Sequence, residues 1–531
     1  MIIENNGDIP ERAEQEGLTE YVERLSKSYR EIYDATLRKG KGQFFTPKEV
    51  SSFMASLFEI RGSAIRLLDP GAGTGILTAA FCERLLDNEN VVELMIDTYE
   101  NDPKLLPFLK SVLESCKEVL EERGCNVKYN IFEQDFILHN EGYFKTDSSM
   151  TSKKSTSYDF VISNPPYYKL NKNSPQSVIM KEFIFGQPNI YALFMALSAS
   201  MVKPEGEMVF ITPRSFCSGL YYKKFREWFL SNVKIENIHI FESRKEIFDK
   251  DKVLQENIIL KGIKLMKSSN TKKLTISTSK NKSFDKLKTF EMEYIDVIHH
   301  KNGEVFIRIP TSTTEVDILH IVDNWPNTLR DLNLEISTGP VVPFRATHYL
   351  LPKLTKYTKS TPLLWMHNMK DMEVFWPIKK NNKASAIQVC DETMPLLLPV
   401  KNYVLLKRFT SKEQRRRLYA AVLLKSKFPY ENVGIENHVN YIHKFKGDLS
   451  VHEAFGIAAI LNTTIIDNYF RALNGNTQVN STDIRSLPLP KIEDIRTIGK
   501  AVYDLKCFSN SSNLDNIFVK SLRINSGIIK K

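Results

Sequence analysis

The sequence predicts an α/β protein: a doubly wound, Rossmann-like domain followed by a second domain of α+β character. Three observations carry this expectation. From residue 65 to about 260, short apolar runs alternate with helical segments, the pattern of a mainly parallel sheet covered by helices on both faces. A glycine-rich turn, DPGAGTG (69–75), joins the first apolar run to the segment after it. Beyond residue 286 the alternation stops, and strand-like runs mix with turns and a few helices, expected at 411–424 and 451–472.

Each element has its own signal. In residues 17–38, Leu18, Tyr21, Val22, Leu25, Tyr29, Ile32 and Tyr33 recur at helical spacing, so an amphipathic helix leads the chain. Strands are expected in IRLLD (65–69), ELMIDTYE (93–100), VKYNIFEQD (127–135), YDFVISN (158–164), GEMVFITP (206–213), VKIENIHIF (233–241) and VLQENIILKGIKL (253–265). Helices follow Gly75 and span 103–123, 190–201 and 221–230. The polar run 145–157 reads as a surface loop, and 267–286, rich in Lys, Ser, Thr and Asn, as a linker. Residues 1–266 and 287–531 are then the two domains. No internal repeat is evident.

A chain of 531 residues is longer than one ordinary core organises. It holds no apolar run of roughly 20 residues, and its N-terminus is acidic and polar, so neither a membrane span nor a secretory signal is expected. Six scattered cysteines without a CxxC pair argue against a zinc site or a disulfide framework and fit the cytoplasm. The net charge of +10 is unevenly spread: from Lys267 onward 39 Lys+Arg face 25 Asp+Glu, a net of +14, which leaves −4 for residues 1–266. A strongly basic second half points to a polyanion, with a solvated lysine-rich surface as the plainer alternative.

In the glycine-rich turn, Gly71, Ala72, Gly73 and Gly75 let backbone approach a ligand at the C-terminal edge of the sheet. The spacing is GxGxG, not the GxGxxG of dinucleotide sites. Asp69, just ahead of it, would repel a pyrophosphate but suits an ammonium or sulfonium group. S-adenosylmethionine carries both. Glu100, ending the second strand, is placed to accept from two ribose hydroxyls, and Asp135 and Phe136 after the third offer an acceptor for an adenine amine and a ring face. A solvated acid at a strand end is the bland reading of each; recurrence after three consecutive strands favours the cofactor.

The fourth strand runs into Asn164, Pro165, Pro166 and Tyr167, where proline ends the ladder and leaves acceptors unused. FFTPKEV (44–50), DPGAGTG (69–75), YEND (99–102), QDF (134–136) and NPPY (164–167) together resemble the motifs of gamma-class N6-adenine DNA methyltransferases of type II restriction-modification systems. The resemblance is detailed over roughly 40–265 and holds beyond that only in layout.

It implies a catalytic domain over 1–266 and a DNA target-recognition domain over 287–531. Asn164 and Pro165 would grip the adenine amine, Tyr167 would stack on the flipped base, and Phe248 would be the ring opposite. A core aromatic is the alternative for Phe248. The turn with Thr46 and Pro47 would close over the methionine end of the cofactor. A separately encoded restriction enzyme would share the site without needing to bind, and a monomer suffices.

Other chemistries fit less well. No cysteine follows a proline, as cytosine-C5 chemistry requires, and Asn164 in place of serine favours adenine over cytosine N4. A protein or RNA N-methyltransferase, or a non-catalytic DNA-specificity subunit, are the remaining alternatives. In the basic half, Arg345, Lys407, Arg408, Arg415, Arg416 and Arg417 are candidates for phosphate contact, and Asn476 and Gln478 for base edges. Around Asn474, Asn480 and Arg485, turn and capping roles compete with base reading.

Overall fold

A computed structural model describes residues 9–32, 45–143, 157–183, 186–187, 189–242, 256–266, 272–280, 284, 286–301, 303–355, 357–378, 380, 383–410, 414–474, 478–506 and 511–528. The chain divides into two compact units, Met1–Thr311 and Ser312–Lys531.

The first unit is built on a nine-stranded sheet ordered β3-β2-β1-β4-β5-β7-β6-β8-β9. Its strands are β1 (Ala64–Pro70), β2 (Glu93–Tyr99), β3 (Asn126–Phe132), β4 (Tyr158–Ser163), β5 (Val202–Pro213), β6 (Val233–Phe241), β7 (Asn257–Lys264), β8 (Lys273–Ser279) and β9 (Lys288–Glu293). Strands β1 to β5 pair in parallel, while β7 lies antiparallel between β5 and β6. The helices include α1 (Leu18–Ile32), α2 (Lys48–Ser56), α3 (Ile76–Leu85), α4 (Leu106–Glu121), α5 (Ile190–Met201) and α6 (Lys223–Asn232).

Side-chain parity explains the layering. Ile65, Leu67, Phe160, Ile162, Val209 and Ile211 share one core with residues of α1 to α4. Leu68, Val161, Met208 and Phe210, one step out of phase, are equally buried, and α5 packs against β5. Both faces are covered, which is why these strands are apolar throughout. Strand order reverses between β1 and β4, and such a reversal opens a crevice at the C-terminal strand ends.

Within the expected linker at 267–286, Lys273–Ser279 form strand β8. Residues Lys273–Ser279 pair in parallel with β6 and antiparallel with β9, and the first unit runs on to Thr311. Leu274 and Ile276 are buried at alternate positions, and the Ser277 and Ser279 hydroxyls meet the two ring nitrogens of buried His239 at 2.9 and 3.1 Å. Threonine and serine are compatible with a half-buried pleat, so a polar composition concealed a strand.

The second unit holds a six-stranded and a five-stranded sheet with helices. The helix expected at 411–424 is absent among the described residues. Ala420–Leu423 is instead a strand paired antiparallel with Tyr403–Lys407. Leu418, Ala420 and Val422 enter one core, and Ala421 and Leu423 another, so burial on two sides removed any periodicity. The expected helix at 451–472 is two, Val451–Leu461 and Thr464–Leu473. The break is bonded: the Asn462 amide exchanges hydrogen bonds with the backbone of Ala420, and Thr463 caps the second helix.

Helix Val451–Leu461 crosses helix Ile492–Asp504 at two glycines. A Cβ on Gly456 would stand 2.0 Å from the Ile495 carbonyl oxygen, and one on Gly499 1.8 Å from that of His452. Both obstacles are backbone. Gly499→Ala is therefore expected to destabilise this unit by about 3 kcal/mol, the upper range for overpacking, read as a lowered denaturation midpoint in urea.

Candidate cofactor and catalytic site

The glycine loop leaves β1 at Pro70 and reaches α3 with Gly71, Gly73 and Gly75 at φ +81, +60 and +87°, a region that penalises any Cβ. The Gly71 and Ala72 amides both donate to the Tyr99 carbonyl at 2.9 Å, tying the loop to the end of β2. The Gly73 amide donates to Glu100 Oε2 at 2.9 Å, and Glu100 Oε1 accepts from the Asp102 amide at 2.8 Å. Glu100 is buried, and that burial raises its carboxyl above the usual range despite these bonds.

A cavity of about 430 Å³ opens over this loop. Its wall includes Thr46, Gly71, Ala72, Gly73, Glu100, Asp135, Phe136, Asn164 and Pro166, so most of the residues expected from sequence meet in one place. Asp135 Oδ1 caps the turn Phe136–His139 by accepting from the Ile137 and Leu138 amides at 2.9 Å, and Oδ2 accepts from Gln176 at 2.9 Å. Phe136 lies 5.1 Å from Phe194 of α5, a second ring on the wall.

Among the wall residues to which sequence reasoning gave no role are Phe45, Tyr168 and Phe194. Phe194 carries no signal in sequence, because its direction is set by how α5 docks. Tyr168 does. In extended backbone neighbouring side chains diverge, so Tyr167 and Tyr168 point to opposite sides.

Asp69, Gly75, Pro165 and Tyr167 lie off the cavity wall. Gly75 caps α3 and faces Leu109 and Val112 of α4 at 3.0 and 3.1 Å from a built Cβ. Asp69 is wholly buried beneath the loop; Oδ2 accepts from the Thr78 hydroxyl at 2.8 Å, while Oδ1 has no partner.

Burial, and to a lesser degree the nearby Glu100, push the Asp69 carboxyl up to about 7. A carboxyl near 3.8 when unfolded and about 7 when folded holds its proton better in the native state, so the stability it confers is lost as pH rises from about 4 through 7. Asp69→Asn is expected to flatten that slope: its unfolding free energy relative to wild type should rise by up to about 4 kcal/mol between pH 4 and 8, measured by urea titration without cofactor.

The end of β4 completes the site. Ser163 Oγ donates to the Pro70 carbonyl at 2.9 Å, fastening β4 to β1. Asn164 Nδ2 donates to Thr46 Oγ1 at 3.0 Å. Tyr167 is buried, its hydroxyl 2.5 Å from Asn164 Oδ1 and 2.8 Å from the Ile211 carbonyl. Phe248 lies outside the described residues, as does Asn476.

In the second unit, the six-stranded sheet gathers three segments at one end: Thr338 pairs with Asn440, and Lys407 with Val439. There Arg345 is exposed beside Phe344, itself 76% exposed. Arg408 donates to the Asn437 carbonyl at 3.1 Å, and Phe409 forms a bridge with Gln478. Lys407, Arg415 and Arg416 line a cavity of about 540 Å³ with Lys380 and His367, and burial lowers the Lys407 and Arg416 affinities for their protons.

Arg417 departs from expectation. It is 1% exposed, with Nε on Thr410 Oγ1 and Nη1 on the Asn474 carbonyl, both at 3.3 Å, so it braces the fold and offers nothing to a phosphate. Asn474 and Asn480 both bind Asp483 Oδ2, which is the capping role.

The first unit suits one ligand class. A built Cβ on Gly73 meets nothing within 4 Å, so the loop backbone lies open. On the same wall stand the buried Glu100 carboxyl and the rings of Phe45, Phe136 and Phe194, while the buried Asp69 carboxyl lies beneath the loop, off the wall. This donor set matches S-adenosylmethionine, and fold and site together define a methyltransferase that uses it.

The Eco57I restriction-modification methylase family matches residues 88–248. The Type II methyltransferase M.BsuBI of Bacillus subtilis is 35% identical over 492 residues, 92% of this chain and 95% of its own. The Type II methyltransferase M.PstI of Providencia stuartii is 34% identical over 504 residues, 95% of this chain and 97% of its own. The chain belongs to the type II methyltransferases of restriction-modification systems, and S-adenosylmethionine is its cofactor.

Proposed function

We propose that this chain methylates the N6 amine of an adenine turned out of duplex DNA at a specific sequence. DNA methylation follows from the family. The adenine assignment rests on the Asn164 amide at the cavity edge, one residue beyond β4.

An exocyclic adenine amine is a weak nucleophile because its lone pair is delocalised into the ring. Asn164 Oδ1 and the Pro165 carbonyl, accepting its two hydrogens, favour a pyramidal nitrogen, and the paired prolines keep both acceptors in place. When bound, S-adenosylmethionine supplies an electrophilic methyl group. Orientation accounts for much of the acceleration. The alkylated nitrogen is strongly acidic, so no dedicated base is required. Turning the base out costs a few kcal/mol, offset by about 1–3 kcal/mol for each stacked ring; the resemblance gives this role to Tyr167 and Phe248, and Tyr167, buried here, would have to be uncovered to fill it.

Lys407, Arg408, Arg415 and Arg416, with Arg345, position the phosphates, and Gln478 lies where a base edge could be read. The reading includes a monomer in the cytoplasm and a separately encoded endonuclease with the same target. Tritiated cofactor and plasmid DNA, followed by nucleoside chromatography, tests the reaction: label is expected in N6-methyladenine, and label elsewhere refutes it. Arg416→Ala is expected to weaken DNA binding across sequences and to reduce the salt slope of the binding constant by about one, read by fluorescence anisotropy.

A further inference from the structure

Lys407 and Tyr419 face each other across two antiparallel chain segments of the second unit. Leu406 pairs with Ala420, and one step further on the Lys407 amide donates to the Tyr419 carbonyl at 3.0 Å. Side chains directly opposed on such a pair share a face of the sheet. Here the ammonium lies over the ring, 3.8 Å from its centroid. The electron-rich face of the ring holds the cation in place without cancelling its charge.

The ring is itself held. Asp371 and Met372, at φ +48 and +59°, make the tight turn between the paired segments Met369–Lys370 and Glu373–Val374. Met372 is buried, and its carbonyl accepts from the Val422 amide at 2.7 Å, which docks the turn on the strand that follows Tyr419. The Asp371 amide then donates to the Tyr419 hydroxyl at 3.1 Å. Left-handed backbone is unfavourable for methionine, and strain of this kind collects at functional sites.

Lys407, Tyr419 and Asp371 all line the cavity of about 540 Å³, together with Lys380, Arg415 and Arg416. Among the described residues of that wall Asp371 is the one acid, set against these four Lys and Arg side chains. Asp467 and Asp515 act on Arg416, but each is engaged elsewhere: Asp467 by the Arg417 and Leu418 amides and by Arg471, and Asp515 by Thr464. The Lys407 ammonium has neither a hydrogen bond nor an ion pair among the described residues. Burial, and after it Lys380, make its charge less favourable. An anion entering the cavity offsets both effects.

We propose that this cavity is a recessed seat for one phosphate of the DNA backbone, and that Tyr419 is the positioning residue that aims the Lys407 ammonium into it. This rests on the reading of the second unit as the part that contacts DNA. A lysine free to swing on an open surface neutralises whichever phosphate is near, whereas one fixed against a ring inside a cavity serves a single phosphate. The seat therefore sets the register of the protein along the duplex as well as adding charge.

The test is fluorescence anisotropy with full-length protein and a duplex carrying the site it methylates, in which single phosphates are replaced one at a time by uncharged methylphosphonates. In wild type the seated position is expected to weaken binding about threefold to tenfold; in Lys407→Met that position should lose its effect while others keep theirs. Lys407→Met should also reduce the salt slope of the binding constant by about one. Tyr419→Leu should weaken binding about threefold to tenfold and blunt the same position, whereas Tyr419→Phe, which keeps the ring, should stay within about twofold of wild type. In the Lys407→Met background Tyr419→Leu should add less than about twofold.

Equal losses from Tyr419→Leu in both backgrounds, or a loss that Tyr419→Phe shares, overturn the positioning role. A methylphosphonate profile that is the same in wild type and Lys407→Met overturns the seat. Inorganic phosphate replacing chloride at equal ionic strength separates the two sources of the anion. If it displaces DNA from wild type but not from Lys407→Met, and no backbone position responds to Lys407, the seat takes free phosphate and the assignment to DNA is overturned. If neither Lys407→Met nor Arg416→Ala alters DNA binding, the reading of the second unit fails; if Arg416→Ala weakens binding and Lys407→Met does not, only the seat fails.

Discussion

Asn164→Ala is expected to lower the single-turnover methylation rate by at least about 10³-fold while leaving affinity for S-adenosylhomocysteine within a few-fold of wild type. The site separates the two functions in space. Asn164 follows β4, whereas the groups suited to the cofactor follow β1, β2 and β3: the glycine loop, Glu100, and Asp135 with Phe136. Truncation removes the acceptor proposed for the amine and one hydrogen bond to Thr46, but no atom of the loop. Quenched-flow transfer assays beside calorimetric titration check both halves. Retained turnover refutes the catalytic role, and a parallel collapse of cofactor affinity would place Asn164 in the binding site instead.

The second large effect is on binding. Glu100→Ala removes the carboxylate expected to accept from the ribose and, at the same stroke, the acceptor that fixes the Gly73 and Asp102 amides. Charge-assisted bonds of this kind contribute about 1.5–3 kcal/mol each, so a loss of roughly 10² in cofactor affinity or more is expected. Because burial already raises this carboxyl, wild-type affinity should begin to fall at a higher pH than an ordinary glutamate would dictate, as protonation removes an acceptor. Calorimetry across pH 4.5 to about 7.5 reads this directly; a flat profile would remove Glu100 from the ribose.

What was legible in the sequence is what is local. A strand-end residue is placed by the strand before it, so Glu100, Asp135 and Asn164 could be assigned once the apolar runs were recognised. Tertiary direction was not legible. Three consecutive arginines read as one basic stripe, yet the chain enters a strand immediately afterwards and Arg417 points inward to Thr410 while Arg415 stays outside. β8 shows the converse: residues that looked like a tether satisfy His239 from within the sheet. Phe194 could not be found at all, because a helix with two buried faces leaves no periodic mark.

The glycine crossing of the second unit has a bearing on how such an enzyme could change its target. With main chain pressed on main chain at Gly456 and Gly499, the supporting helices leave no room for a side chain at their crossing, whereas Arg345, Arg408 and Gln478 lie near one end of the six-stranded sheet, away from that contact. Novelty in sequence preference would thus accumulate in the segments around those residues on an invariant chassis. Under the DNA-contacting role proposed for them, these are the segments to exchange when retargeting the protein.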